Sequence, residues 1–337
     1  MLKKLTLLLL VLLVVAGGAY LYADPETRGL DEQTRRSLGG TYLHLPAGVT
    51  HYELSGPPDG QVVVLLHGAN ALMKVWDQTT PRLAAAGLKV LRYDQYGRGL
   101  SDRPALAYDR RTYQDQLLSL LDNLRLKNPV DLVGHSLGGA VAVDFASLHP
   151  ERVRRLVLIS PRISGRGPGQ RLGWLVGPVV GEIFMRFVGA PRLIFGVNQS
   201  LTAAGASPAL RQAFNEQTTF RGFERSVLAQ WRGDALGDHL PAYRAVGLSR
   251  RAVLLIWGDR DPLVSREMIG WAQKAMPAAR LATVPGAGHQ SILQEAATVD
   301  QLIVEFLQEP GEGPGAPAPD APPDGAEGEG GLPTGNG

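Results

Sequence analysis

The chain of 337 residues has no cysteine. This excludes disulfides, cysteine-ligated metal sites, a cysteine nucleophile and an N-terminal lipid-modified cysteine. It does not locate the protein, because such a chain is tolerated in oxidising and reducing compartments alike. Net charge is nearly absent, at +2, and no dense Lys/Arg cluster is interleaved with aromatics. Nucleic acid is therefore not expected as a partner. No internal repeat recurs, which argues against a solenoid. The Gly97-Arg98-Gly99 tripeptide lacks the third glycine and the following helix of a dinucleotide fingerprint. What is present is a 44% hydrophobic composition, ample for one domain of about 250–300 residues with a sizeable core.

The N-terminus carries a localisation signal. Lys3 and Lys4 precede Leu5–Tyr22, an uncharged, mostly apolar run. As a helix it would rise about 27 Å, close to the roughly 30 Å of a bilayer core. It reads as a membrane anchor, with Tyr20 and Tyr22 in the interfacial belt, or as a signal peptide cleaved near the small residues Ala16–Ala19. The first reading places residues 1–23 in the membrane and the catalytic body outside the cytoplasm; the second gives a secreted protein. Residues 24–40 are polar and read as a linker or short helix. The tail, 310–337, is nearly all Pro, Gly, Ala and acid without Lys or Arg, and is expected to be disordered.

Between them, 41–309 alternates strand and helix. GTYLHL and VTHYELSG predict a hairpin. Gln61–Leu66, Lys89–Tyr93, Val130–Val133, Val153–Ile159, Ala252–Trp257 and Arg280–Val284 predict strands, the first a continuous apolar run typical of a sheet covered on both faces. Trp76–Ala86, Thr112–Leu124, Leu137–Leu148, Ser265–Ala275 and Thr298–Leu307 predict helices. The fold class expected is α/β with a doubly wound sheet. From about 163 to 249 the alternation stops. Trp174–Val188 is apolar and broken by Gly and Pro, Pro208–Gly233 reads as helix, and the whole is expected to be a helical lid.

The chemistry centres on Gly134–Gly138, a Gly-x-Ser-x-Gly pentapeptide between an apolar strand and a small-residue helix. Such a sharp turn makes Ser136 a nucleophile by lifting Oγ clear of the backbone. Alone, this short pattern is weak evidence; its surroundings carry more weight. WGDRDPLV follows one predicted strand and VPGAGHQS the next. They supply an acid and then a histidine, in the order that elbow enzymes use. Asp261, stiffened by Pro262, is the expected acid. Asp259 follows Gly258 in a turn where aspartate commonly bonds its own backbone. His289 is the expected base. The backbone N–H groups of Leu137 and Ala69 are expected to form the oxyanion hole, with Gly68 allowing close approach. Asn70 is a candidate assistant, and His67 is expected to brace this loop rather than to act as a base. Asp94 and Ser101, in the loop YDQYGRGLSDRP, are expected to be structural.

Together LLHGAN, YDQYGRGLSDRP, VGHSLGG, WGDRDPLV and GAGHQ resemble the α/β-hydrolase superfamily, in particular its lid-bearing esterases, lipases and carbon–carbon bond hydrolases. The resemblance covers about Thr41–Gln308. It implies a mostly parallel sheet of about eight strands with helices on both faces and a lid after the sixth strand. Ser136 argues against the similar haloalkane dehalogenases and epoxide hydrolases, whose nucleophile is aspartate. The expected activity is hydrolysis of carboxylic esters, lipid-like ones included, through an acyl-enzyme on Ser136, with no metal or organic cofactor. A carbon–carbon bond hydrolase using the same triad is the alternative; a non-catalytic binding module is a third reading. Trp174, Phe184, Phe187, Phe195 and Trp231 are candidates either for an acyl pocket or for the interior of the lid.

Overall fold

A computed structural model describes residues 2–165, 167–249 and 251–310. The acidic tail beyond Pro310 lies outside the described residues. Among them, eight strands form one sheet: β1 (Thr41–Leu45), β2 (Gly48–Ser55), β3 (Val62–Leu66), β4 (Lys89–Tyr93), β5 (Val130–His135), β6 (Val153–Ile159), β7 (Val253–Gly258) and β8 (Arg280–Val284). Their order is β1-β2-β4-β3-β5-β6-β7-β8. The expected hairpin pairs β1 with β2 antiparallel, and β2 meets β4 antiparallel; every later pairing is parallel.

The continuous apolar strands follow from a sheet buried on both faces. Val64, Leu66, Leu132, Leu156, Leu158 and Leu255 point into one core. Their neighbours Val63, Leu65, Val133, Val157, Ile159 and Ile256 point into the other. Side chains alternate along a strand, so each face receives every second residue. The helix Leu137–Leu148, rich in small residues, packs closely on one face. Ala296–Gln308 covers the opposite face through Val299, Ile303 and Phe306.

Two expected elements differ in detail. Trp76–Ala86 is two pieces, a 3₁₀ turn Met73–Trp76 and a helix Thr79–Ala85. Pro208–Gly233 is two helices, Pro208–Gln217 and Phe223–Arg232. The break falls at Gly222, whose φ of 92° an α-helix cannot contain. Residues 24–40 hold a helix, Glu32–Leu38, capped by Asp31. That segment also bonds to the body: the Arg28 N–H donates to the Thr219 carbonyl at 3.1 Å, and Glu26 accepts the N–H groups of Gly222 and Glu224 at 2.6 and 2.5 Å.

A helical insertion does separate β6 from β7, running from Pro168 to Leu248. The N-terminal run forms a helix, Leu2–Tyr22, with exposed apolar side chains such as Leu7 and Val14. Among the described residues, no single helix is long and apolar enough to cross a membrane.

Candidate active site

Ser136 stands between the end of β5 and the helix Leu137–Leu148, with φ 54° and ψ −115°. Few L-residues hold a positive φ, and this one stores strain of order 1–3 kcal/mol. The flanking glycines make it attainable. A Cβ at Gly134 would lie 2.3 Å from the Gly138 carbonyl oxygen, and one at Gly138 would lie 2.1 Å from that of Leu66. No side chain fits at such distances. The Ser136 N–H donates to the Ile159 carbonyl at 3.0 Å, tying the turn to β6.

The loop after β7 supplies Asp261, and the loop after β8 supplies His289. His289 Nδ1 lies 2.8 Å from Asp261 Oδ2, and its Nε2 lies 3.0 Å from Ser136 Oγ. The three residues expected from widely separated segments therefore form one hydrogen-bonded line. Asp261 Oδ1 accepts the N–H groups of Leu263 and Val264 at 2.8 and 3.0 Å. Burial acts to raise the Asp261 carboxyl. The hydrogen bond and charge of His289 and these two N–H groups outweigh it, so the pKa falls below its ordinary value. Asp259 does something else: its Oδ1 accepts the Gly286 N–H at 2.7 Å and pins the neighbouring turn.

The loop after β3 passes directly over the serine. A Cβ at Gly68 would lie 3.3 Å from Ser136 Cβ, a tight contact that the serine would have to relieve by a small shift. Neither the Ala69 N–H nor the Leu137 N–H has an acceptor in the protein among the described residues. His67 Nδ1 faces the Gly68 carbonyl at 2.8 Å, while Nε2 accepts the Gln95 N–H at 3.0 Å. Burial pushes the pKa of His67 down to about 4, so the ring is neutral at pH 7. His67 thus braces the loop. Asn70 follows in the same loop, and its buried Oδ1 has no hydrogen-bond partner among the described residues. Asp94 is structural: it accepts the N–H groups of Met73 and Leu100 at 2.7 and 2.9 Å and faces His51. Ser101 Oγ donates to the Asp94 carbonyl at 2.6 Å.

Two supporting residues are visible only in three dimensions. His135 is buried beneath the base, with Nε2 2.8 Å from the His289 carbonyl and ring centroids 5.0 Å apart. Burial, then the charge of His289, pushes its pKa down to about 3. A neutral His135 donates one hydrogen bond that holds the base's backbone. Its place as the free position of Gly-x-Ser-x-Gly carried no signal. The second is Arg98, fully buried between the two glycines already dismissed as a nucleotide loop. Its Nε donates to the Ala69 carbonyl at 2.5 Å, and its two terminal nitrogens donate to Ser226 Oγ and Gln230 Oε1 at 2.9 and 3.0 Å. One guanidinium therefore bonds the loop over the serine to the insertion.

Above Ser136 lies a cavity of about 590 Å³. Its floor includes Gly68, Ala69, Ser136 and His289; its walls include Leu172, Phe184, Val188, Val197, Phe214 and Trp231. Of the aromatic candidates, Phe184 and Trp231 line it, whereas Trp174, Phe187 and Phe195 are exposed. The lining is apolar apart from a few groups, and its one Lys, Arg, Asp or Glu among the described residues is Arg192. Such a site can hold an apolar chain while a base within 3.0 Å draws the proton from a serine hydroxyl.

Residues 63–301 match the alpha/beta hydrolase family. The chain belongs to that family. It is 30% identical over 76% of its length to the dihydrolipoyllysine-residue acetyltransferase component of the acetoin cleaving system of Pseudomonas putida, and the match spans 66% of that protein. It is 29% identical to the 2-hydroxymuconate semialdehyde hydrolase of Pseudomonas sp. strain CF600, over 74% of this chain and 88% of the relative. An esterase from Exiguobacterium antarcticum superposes with a TM-score of 0.67 at 21% identity, covering 80% of this chain and all of that one, and shares the fold.

Proposed function

We propose that this hydrolase cleaves carboxylic esters through an acyl-enzyme on Ser136. The observation that carries the reading is the unbroken line Asp261–His289–Ser136, with contacts of 2.8 and 3.0 Å, under an apolar cavity. His289 Nε2 takes the hydroxyl proton as Oγ attacks the ester carbonyl. The carbonyl oxygen becomes an oxyanion held by the Leu137 and Ala69 N–H groups. Asp261 keeps Nδ1 protonated, so Nε2 is the basic nitrogen, and its charge stabilises the imidazolium. The tetrahedral intermediate collapses, the C–O bond breaks, and the proton on Nε2 passes to the departing alkoxide. Water then gives a proton to His289 and attacks the acyl carbonyl; collapse returns the proton to Oγ and frees the acid. Each oxyanion donor contributes about 10²–10³ in rate, and the base about 10²–10⁴.

The insertion acts as the lid in this reading. Its apolar lining favours esters with a long acyl chain, lipid-like ones included. On its sequence alone, the run Leu5–Tyr22 serves in this reading as a membrane anchor or a signal peptide, with the catalytic body outside the cytoplasm. The similar semialdehyde hydrolase supports a second reading, carbon–carbon bond hydrolysis with the same three residues.

Ser136→Ala tests the assignment. It should abolish labelling by a fluorophosphonate and lower hydrolysis of p-nitrophenyl esters by about 10⁴-fold or more. Full ester hydrolysis by the variant would overturn it. Faster turnover of a vinylogous diketone than of any ester would favour the second reading.

A further inference from the structure

Outside the N-terminal helix, exposed large apolar side chains concentrate in one stretch of the insertion: Trp174, Val179, Ile183, Phe187, Val188 and Phe195. Trp174 is 75% exposed and Phe195 63%. So many large apolar side chains exposed within one short stretch are unusual for a surface that stays in water. The helical stretches Pro168–Val176 and Val180–Ala203 together have the length and apolarity of a membrane segment, but they bend by 108° at their break. A pair bent this sharply makes a poor straight span. It suits a lid lying in the interfacial plane with one face in the acyl region.

Three observations say what covers this face. The first is continuity. The Tyr20 ring meets Phe187 edge-on with centroids 6.3 Å apart, and Arg186 donates to the Tyr20 carbonyl at 2.9 Å. The patch thus adjoins the exposed apolar helix Leu2–Tyr22, and one bilayer surface can take both. The second is charge. Residues 172–203 hold only Glu182, Arg186 and Arg192 as charged side chains. Glu182 pairs with Arg232 at 2.9 Å and Arg186 with Glu224 at 2.7 Å. Arg192 has no ion pair among the described residues, which leaves a cation suited to an anionic headgroup. The third is the cavity. Phe184, Val188 and Arg192 line it, while Ile183, Phe187 and Phe195 beside them face outward.

We propose that this face of the insertion docks on a lipid bilayer beside the N-terminal helix, and that the catalytic cavity is loaded from the lipid phase. Docking stands on the surface alone; loading rests on the ester-hydrolase reading. Docking holds the lid down, with Trp174 and Phe195 below the headgroups and Arg192 at their level.

The test uses the full chain in phosphatidylcholine vesicles, with and without phosphatidylglycerol, beside its Trp174→Phe variant. The difference between the two emission spectra reports Trp174. It should be blue-shifted, quenched by lipids brominated on their acyl chains and resistant to aqueous acrylamide. Emission quenched by acrylamide and untouched by brominated lipid would overturn docking. So would shielding from both quenchers together with cross-links between protein molecules, since a second copy would then cover the face. The double variant Ile183→Ser, Phe195→Ser tests loading. It should lose about tenfold on a long-chain ester embedded in vesicles and nothing on a soluble short-chain ester; equal losses on both would overturn it. A Trp174 signal from lipid with no ester turnover at all would leave docking standing and remove the ester-hydrolase reading.

Discussion

The floor of the cavity is held mainly by backbone, whereas its roof is held mainly by side chains. On the floor, Ser136, Asp261 and His289 stand at the ends of β5, β7 and β8, and main-chain N–H groups position the turn and the acid. Gly134 and Gly138 admit no other residue without collision with main-chain atoms. On the roof, the insertion meets the rest through Arg98 with Ser226 and Gln230, through Arg186 with the Tyr20 carbonyl and through the Arg28 backbone, while the Arg186–Glu224 pair ties two of its own helices together. The sheet allows one geometry for the reacting atoms. The insertion is expected to change its lining without moving them, which would make chemistry and substrate choice separable in this molecule.

The largest expected effect breaks the floor without touching its shape. Asp261→Asn retains the two backbone hydrogen bonds at Oδ1 but presents an amide to His289. It should lower kcat by about 10⁴ with KM little changed, since the wrong tautomer of the base is favoured. Asp259→Asn, two residues away, should leave kcat within about threefold, because the amide oxygen can still accept the Gly286 N–H. Similar losses in the two variants would mean that the acid has been misplaced.

A smaller effect is expected from the roof. Val188→Trp fills part of the cavity above Ser136. It should lower kcat/KM for long-chain esters by about 10–100-fold while leaving acetate esters nearly untouched, an effect the size of a few lost methylene contacts. A uniform loss across chain lengths would show that the roof also positions the reacting atoms, and the separation would fail.

The same division explains what could be read from the sequence. β3 to β8 were legible because a sheet covered on both faces demands apolar runs, and the helices between them carry a clear period. Ser136, Asp261 and His289 were legible as a candidate triad because each follows a strand in a fixed order, and glycine marks where backbones nearly touch. His135 and Arg98 were not. Each acts on a carbonyl distant in sequence, that of His289 or Ala69, and no local pattern encodes such a contact. The insertion was legible only as an interruption. Its helices break at Gly222 and bend near Val179, and which aromatics turn inward depends on packing that periodicity does not reveal. Phe184 lines the cavity while Phe187, three residues on, is exposed.

The smallest effect is a pH dependence of stability that comes from the floor. His67 and His135 are buried and neutral, with pKa values pushed down to about 4 and about 3. In the unfolded chain each imidazole titrates near 6.5. Between that value and the folded one, the unfolded state binds more protons, so stability rises with pH across the window and is lost as pH falls through it. By pH 5.5 each ring should have removed about 1 kcal/mol relative to pH 8, before most carboxylates begin to protonate. Asp131 works the other way: burial pushes its carboxyl up to about 6, so it takes up a proton in the folded state over the same range and offsets part of the decline. Urea unfolding at pH 8 and 5.5 measures the net change. A His135→Asn variant should lose less stability over this range than the parent, by about the share of one ring. If the variant declines as much as the parent, the His135 ring is protonated in the folded protein. His135 could then no longer serve as the neutral donor beneath His289, and the rigidity ascribed to the floor would need another source.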